Sequence, residues 1–278
     1  MRFPEDFQYS QANLQDFVDC WKRFYLRHIS RLVWPALETE PAMQLERAGR
    51  DGARFHRLVH QCLVGIPPQR LSAMLGDPDL ELWWAYFLEF LPEVYGAELQ
   101  GRYPLHPEVN LSAPLGSRRL VARYDLIVAA LGELLVIYDW KTSRQRPDRG
   151  HLEQRLQTRV YPYLLVRAGW HLNRGLLVQP DQVEMVYWFA GEDEPVERFI
   201  YSAEAFQTDE SYLTGLVATI ERLEAEEFSR TSDERRCLYC SYRSLCDRGV
   251  LPGNVRELGT ESAFGFESER LKITEIDD

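Results

Sequence analysis

Apolar residues recur at helical spacing along the N-terminal part of the chain. One such stretch covers about residues 10–32, a second about 43–64 and a third about 79–90. Residues three and four positions apart lie on one face of a helix, so each stretch predicts a helix with one buried side. The prolines and glycines from position 92 to 104 predict looser chain after the third helix.

The hydrophobic pattern then changes to the alternation that is typical of strands. It predicts strands at 108–115, 120–129 and 133–140, a helix at 150–168, strands at 175–178 and 183–189, and a last helix at 202–227. Helices, a run of strands and further helices together indicate an α/β fold with a mixed central β-sheet flanked by helices. We expect an N-terminal helical region at 1–105, a core at 106–230, a C-terminal cysteine-rich segment at 231–250 and a tail at 251–278.

Composition limits the partners and the compartment. A net charge of −11 argues against a broad nucleic-acid coat, although it leaves a local basic groove open. The chain has no apolar run of about eighteen residues, which predicts no membrane span. The N-terminus, MRFPEDFQYSQ, lacks the basic and apolar parts of a secretory signal, so we expect a cytoplasmic protein. Thiols stay reduced there, and clustered cysteines then indicate metal ligands rather than disulfides.

The segment LLVIYDWKTSR ends an apolar strand in charged residues. Asp139 and Lys141 are two positions apart and therefore share a face of that strand. Asp125 and Asp139 are equidistant from Gly132, so a hairpin turning there would place the two carboxylates opposite each other, about 5 Å apart. Such a pair can share a divalent cation. For the Asp-x-Lys triplet alone, an ordinary salt bridge at the strand end is the simpler interpretation.

These residues resemble a known motif. Asp125, an apolar strand and then Asp139-Trp140-Lys141-Thr142 resemble the PD-(D/E)XK nuclease superfamily. The closest likeness is to the branch with the RecB and AddB nuclease domains and the CRISPR-associated exonuclease that carries an iron-sulfur cluster. That branch has a Gly-Arg-x-Asp pattern before the first acid, and here the first position is Ala122.

Two further motifs of that branch have counterparts here. Its Gln-x-x-x-Tyr motif matches Gln157 and Tyr161, which share a helical face. Its early histidine, placed after a glycine, matches His56 after Gly52, with His60 one turn further on. Without the hairpin, these residues would be interpreted as an amphipathic helix face and an ordinary histidine.

The resemblance implies a restriction-endonuclease-like core and a metal-dependent DNA nuclease. Its substrate would be single-stranded DNA or a DNA end, with a possible protein partner in a DNA-processing complex. Mg²⁺ or Mn²⁺ would be bound by His56, Asp125 and Asp139, while Lys141 would position the attacking water. Gln157 and Tyr161 would orient the site, and Glu108 is a further candidate at its edge.

Three cysteines lie within ten residues near the C-terminus. Cys237, Cys240 and Cys246 have the spacing of metal ligands, and either Cys20 or Cys62 would complete the set of four. The resemblance of SQANLQDFVDCWKRFYLRHI to the opening helix of the same branch favours Cys20 and implies a [4Fe–4S] cluster. Zinc remains the alternative in this site, and Cys62 is interpreted as a buried free thiol.

Two rival functions stay open at this point. One is a non-cleaving nucleic-acid-binding module, and the other is an iron-sulfur protein that serves assembly or redox sensing. Arginines supply possible phosphate contacts, either along the first helix or in the loop after the Asp-x-Lys strand. They are Arg23, Arg27 and Arg31 in the helix and Arg144, Arg146 and Arg149 in the loop.

Overall fold

A six-stranded mixed sheet forms the centre of the protein. The computed structural model describes residues 2–33, 40–94, 103–130, 132–142, 146–192, 194–238 and 240–249, and of 40–46 only the backbone. The strands are ordered β1-β3-β4-β5-β6, with β2 paired to β3; β1–β3 and β4–β5 are parallel and the other pairs antiparallel. They are β1 (Tyr9–Ser10), β2 (Leu105–Leu115), β3 (Arg118–Ala130), β4 (Leu134–Lys141), β5 (Val183–Phe189) and β6 (Val196–Ile200).

Helices cover both faces of this sheet, which confirms the predicted fold class. Side chains of α1, α7 and α8 form the core on one face, and those of α3 and α5 form the core on the other. A π-helical turn, Tyr25–Ile29, follows α2. The helices are α1 (Gln11–Asp19), α2 (Trp21–Phe24), α3 (Glu40–Leu63), α4 (Pro68–Ser72), α5 (Pro78–Val94), α6 (Arg149–Gln154), α7 (Leu156–Ala168) and α8 (Ala203–Arg222).

The strand β4 is buried on both faces. Leu135 and Ile137 belong to the core beside α1 and α7, whereas Tyr138 and Trp140 belong to the core beneath α3 and α5. Each fully buried aliphatic side chain stabilises the fold by about 2 kcal/mol. The strand is therefore held from both sides, and the polar residues at its end are placed rigidly.

Several predicted elements differ from the structure. The expected first helix breaks at Cys20, whose φ of −164° and ψ of 111° are extended, and the expected helix at 150–168 breaks at Arg155. The predicted strand at 175–178 is wrong, because Arg174 and Gly175 have φ values of 53° and 83° and turn the chain. The short β1 and the polar β6 were not predicted, since neither has a clear apolar alternation.

Three further expectations concern a membrane span, the C-terminal tail and the boundary of the N-terminal region. Within the described residues, no helix is long and apolar enough to cross a membrane. The predicted tail at 251–278 lies outside the described residues. The expected boundary between residues 105 and 106 falls inside β2.

Candidate active site

The hairpin of β3 and β4 brings two aspartates together. The two strands pair antiparallel with Leu126 opposite Tyr138, so the next position outward sets Asp125 opposite Asp139. This is the register that symmetry about Gly132 predicts. The amide of Trp140 donates a hydrogen bond to Asp125 Oδ2 at 2.9 Å, which fixes the orientation of that carboxylate.

The helix α3 adds an imidazole to this pair. His56 is buried, and its Nδ1 lies 3.2 Å from Asp125 Oδ1. The helix reaches the strand end because Phe55 and Val59, on its apolar face, pack into the core beneath it. The predicted third ligand therefore lies beside the first acid.

The strand β3 changes its buried face next to Asp125. Alternate residues of a regular strand share one face. Ala122 and Tyr124 lie in the core beside α7, but Leu126, the next alternate residue, lies in the opposite core. On the paired strand, Glu108 has a φ of 55°, a left-handed conformation that non-glycine residues seldom adopt. Such irregular positions often re-aim side chains near functional sites. Here the irregularity brings Asp125 to the junction of the two cores.

Lys141 is held in a buried polar network. Its Nζ lies 2.7 Å from Asp139 Oδ2 and donates a hydrogen bond to Gln157 Oε1 at 3.1 Å. Gln157 Nε2 in turn donates to Asp139 Oδ1 at 2.5 Å. The ring of Tyr187 lies beneath the ammonium group, 5.6 Å from its centroid. A buried ion pair keeps its charges only when its remaining hydrogen-bonding groups find partners, and Gln157 contributes one hydrogen bond to each member of the pair.

Tyr161 lies one helical turn after Gln157 and packs against Tyr124 of β3. Its ring packs 4.8 Å from that of Tyr124, and the Tyr124 hydroxyl donates to the Tyr161 carbonyl at 2.8 Å. Burial, together with the charges of Asp139 and Asp125, raises the pKa of Tyr161 well above its ordinary value. The phenol therefore stays neutral, while the Tyr161 ring and carbonyl connect α7 to β3 through Tyr124.

The two carboxyl groups differ in acidity. Burial raises the pKa of Asp139 to about 6. The Lys141 charge lowers this pKa in part, and the Asp125 charge raises it further. Burial acts on Asp125 as well, but the His56 charge and hydrogen bond and the Trp140 amide hold its pKa below the ordinary value. The environments of this pair thus separate the two titrations, a feature common at functional sites.

Comparison with known proteins decides the family. A profile of the PD-(D/E)XK nuclease superfamily matches residues 8–247. The chain belongs to this superfamily. Its members are hydrolases that act on nucleic acid, so the superfamily part of the resemblance is confirmed. No curated protein sequence matches the chain.

Solved structures with a similar fold accompany the PD-(D/E)XK match. One, from Eubacterium rectale and described as a proposed exonuclease, has a TM-score of 0.50 and 10% identity, with 91% of this chain and 96% of that chain covered. The crystal structure of SSO0001 has a TM-score of 0.40 and 14% identity, with 89% of each chain covered. At such identities the first likeness supports the fold alone.

Several side chains expected near the PD-(D/E)XK site are engaged elsewhere. Glu108 forms an ion pair with Arg123. Arg146 and Arg149 both pair with Glu197 on β6, and Arg144 lies outside the described residues. The two arginines that were expected to contact DNA therefore form ion pairs with a residue of β6, a strand that was not predicted.

Sequence reasoning missed two groups that the structure places at the site. Tyr187 lies beneath Lys141 because β5 pairs parallel to β4, with Tyr187 opposite Asp139. The Trp140 amide holds Asp125 through a backbone group that no side-chain motif reveals. Only the pairing of β4 with a strand more than forty residues later could have indicated Tyr187.

The four predicted cysteine ligands line one pocket, which we call the cysteine pocket. Its cavity of about 10 Å³ is bounded by Cys20, Cys237, Cys240 and Cys246 and by Arg23, Arg230, Arg236, Tyr242, Arg243 and Arg248. Cys62 is buried in the α3–α5 core as a free thiol, as predicted. Over the described residues, no three His, Cys, Asp or Glu side chains are arranged to hold a metal ion.

Backbone and side-chain contacts close the C-terminal segment onto the N-terminal helices. The Lys22 amide donates to the Ser229 carbonyl, and the Tyr242 hydroxyl donates to the Leu32 carbonyl, both at 2.9 Å. Arg236 forms an ion pair with Asp19. These contacts bring the thiols of the two chain ends into the same pocket.

The predicted arginine stripe on the first helix is an internal network. Asp16, which is 6% exposed, accepts contacts from Arg23 at 2.6 Å, Arg27 at 2.9 Å and His28 at 2.8 Å. Burial opposes ionisation of Asp16, but these positive partners hold its pKa well below the ordinary value. Arg31 pairs with Asp6. These arginines stabilise the fold and are not a free surface for phosphate.

Proposed function

We propose that this protein is a metal-dependent deoxyribonuclease that hydrolyses phosphodiester bonds. The observation that carries the proposal is the pairing of Asp125 with Asp139 beside the buried Lys141. The arrangement lies at the end of one strand of the superfamily core, and the substrate would be a single strand or a DNA end. Exonuclease action is consistent with the description of the Eubacterium rectale structure, though at 10% identity that likeness supports only the fold.

The donor types at this site suit a divalent cation, although no three such side chains of the described residues are already arranged to hold one. Two largely buried carboxylates face each other. Burial first, and then the Asp125 charge, make a negative charge on Asp139 costly, which raises its pKa to about 6. A cation shared between Asp125, Asp139 and the His56 ring would remove that cost, and carboxylate oxygens suit Mg²⁺ or Mn²⁺. When bound, such an ion supplies an acidified water and stabilises charge on the phosphate.

The side chains of the chain itself would supply orientation. The Trp140 amide holds one carboxylate and Gln157 holds the other, so neither has to reorganise as substrate arrives. Lys141, fixed between Asp139 and Gln157, would orient the attacking water or support charge developing on the phosphate. Tyr161 would hold α7 in place against β3.

Cleavage of a labelled single strand with Mn²⁺ tests this function. We expect Asp139→Asn to lose more than ~100-fold in rate, because even residues that only orient a ligand usually cost ~10–100-fold. Asp181→Asn, at an exposed aspartate of a surface turn, is the matched control and should leave the rate unchanged. Wild-type protein that binds the strand without cutting it under any metal would instead favour a binding module.

We further propose that the cysteine pocket binds a metal group, in keeping with the iron-sulfur branch that the sequence resembles. Four thiols from the two chain ends supply the donor type that a [4Fe–4S] cluster or zinc requires. A cavity of about 10 Å³ is near the size of one water, so a cluster would need the surrounding side chains to move outward. Anaerobic purification with iron, sulfide and zinc analysis separates the two metals, and a chain with neither would refute this assignment.

A further inference from the structure

Helix α3 carries a row of exposed arginines on the side away from its core. Gly52, Phe55 and Val59 are buried on one side of the helix. The exposed row consists of Arg47, Arg50, Arg54 and Arg57, spaced three, four and three positions apart. Such spacing aligns side chains along one helical face. A row of positive charge on a protein with a net charge of −11 is a local exception to its overall electrostatics.

Acidic neighbours divide this row into two pairs. Asp51 lies 3.8 Å from Arg47 and 3.6 Å from Arg54, and Asp77 lies 3.9 Å from Arg47. Among the described residues, no ion pair engages Arg50 or Arg57. These two arginines are two turns apart and nearly in line along the helix axis, about 10 Å from each other.

The same helix carries a residue of the proposed active site. His56, which contacts Asp125 at 3.2 Å, directly precedes Arg57. Consecutive helical residues are rotated by about 100°, so Arg57 lies a little more than a quarter turn around the helix from His56, on its exposed side. A strand lying over Arg50 and Arg57 would therefore run along the outer side of the helix that carries His56.

We propose that Arg50 and Arg57 form a phosphate-binding track that holds a nucleic-acid strand along the outer side of α3, the helix that carries His56. Guanidinium groups bind phosphate oxygens bidentately and remain charged at all working pH values. A span of about 10 Å is too long for both guanidinium groups to bind one phosphate, so each would contact a different phosphate of the strand. The inference rests on the proposed function for its substrate class, but it concerns binding rather than cleavage.

Salt-dependent binding tests the track directly. Fluorescence anisotropy of a labelled oligothymidylate is measured in EDTA, where no cleavage occurs, over a series of salt concentrations. For R50Q/R57Q we expect binding roughly tenfold weaker and a salt slope smaller by about 1.4, since each single-strand phosphate contact contributes about 0.7. Both arginines are exposed, so thermal unfolding should be unchanged.

The control is R47Q/R54Q, which removes the same charge from the same helix. Because Asp51 already offsets these arginines, their loss should change the slope by less than half as much. Equal effects of the two double variants, or no effect of R50Q/R57Q, would overturn the track. Poly-glutamate that competes as well as oligothymidylate would also overturn it, because the surface would then bind anions in general.

The outcomes separate this inference from the proposed function. Protein that binds through Arg50 and Arg57 but never cleaves refutes the nuclease proposal and keeps the track. Protein that cleaves, with R50Q/R57Q binding and cutting as the wild type does, refutes the track alone.

Discussion

The active site and the cysteine pocket are assembled over very different distances along the chain. Asp125 and Asp139 meet through one hairpin, whereas most of the sheet and most of the helices lie in sequence between Cys20 and Cys237. A hairpin fixes its register locally by strand pairing. Closure of the two chain ends instead depends on ion pairs and hydrogen bonds between distant segments. The first region should therefore withstand changes that open the second.

The largest effect is expected from breaking the buried network of Asp16 in the N-terminal helices, against which the C-terminal segment closes. Asp16→Ala would leave Arg27 without this carboxylate and Arg23 with Asp19 alone, so we expect the free energy of unfolding to fall by about 3 kcal/mol. Urea denaturation measures this loss. Asp6→Ala, which removes the exposed pair with Arg31, is the control and should cost less than ~1 kcal/mol. Similar losses in both variants would contradict a special role for the buried network.

The next effect concerns the polar network of the active site. Gln157→Ala removes the amide that contacts both Asp139 and Lys141, and we expect activity to fall by ~10–100-fold. The rate of single-strand cleavage measures it, with Gln154→Ala, at an exposed position on α6, as the control. Loss of stability without loss of rate would show that the amide serves folding alone.

A smaller effect is expected from pH. Because burial raises the pKa of Asp139 to about 6, a metal ion must displace its proton below that pH. We expect Mn²⁺ affinity to rise by about tenfold per pH unit up to about 6 and then level off. Calorimetric titration at several pH values measures this dependence. An affinity that stays flat from about pH 5 to 7 would argue against Asp139 as a ligand.

The smallest effect concerns a single hydrogen bond of the closure. Tyr242→Phe keeps the buried ring but removes the bond from its hydroxyl to the Leu32 carbonyl, so we expect a loss of about 1 kcal/mol in unfolding free energy. Tyr212→Phe, at a residue 39% exposed, should leave stability unchanged. A nuclease rate that stays normal in Tyr242→Phe would show that the two regions are energetically separate, while a rate that falls with stability would show coupling.

Local pattern was sufficient for the hairpin. The apolar run before Asp139 predicted a strand, and symmetry about Gly132 predicted the register that the structure has. Strand pairing across a short turn depends on residues that are neighbours in sequence, which is why both features are readable there. The helix break at Cys20 was not readable, because the residues around it keep a helical apolar pattern.

The sequence by itself determined the α/β class, the paired acids with their lysine and the clustered cysteines of the C-terminal segment. Only the tertiary structure decided that Tyr187 lies beneath Lys141. It also decided that Glu197 forms ion pairs with Arg146 and Arg149. The ion pairs of Asp16 with the arginines of the N-terminal helices are a third such case. The physical reason is that periodicity and turn symmetry are local properties of the chain. Which charge meets which partner depends on how distant elements pack, and no local pattern records that.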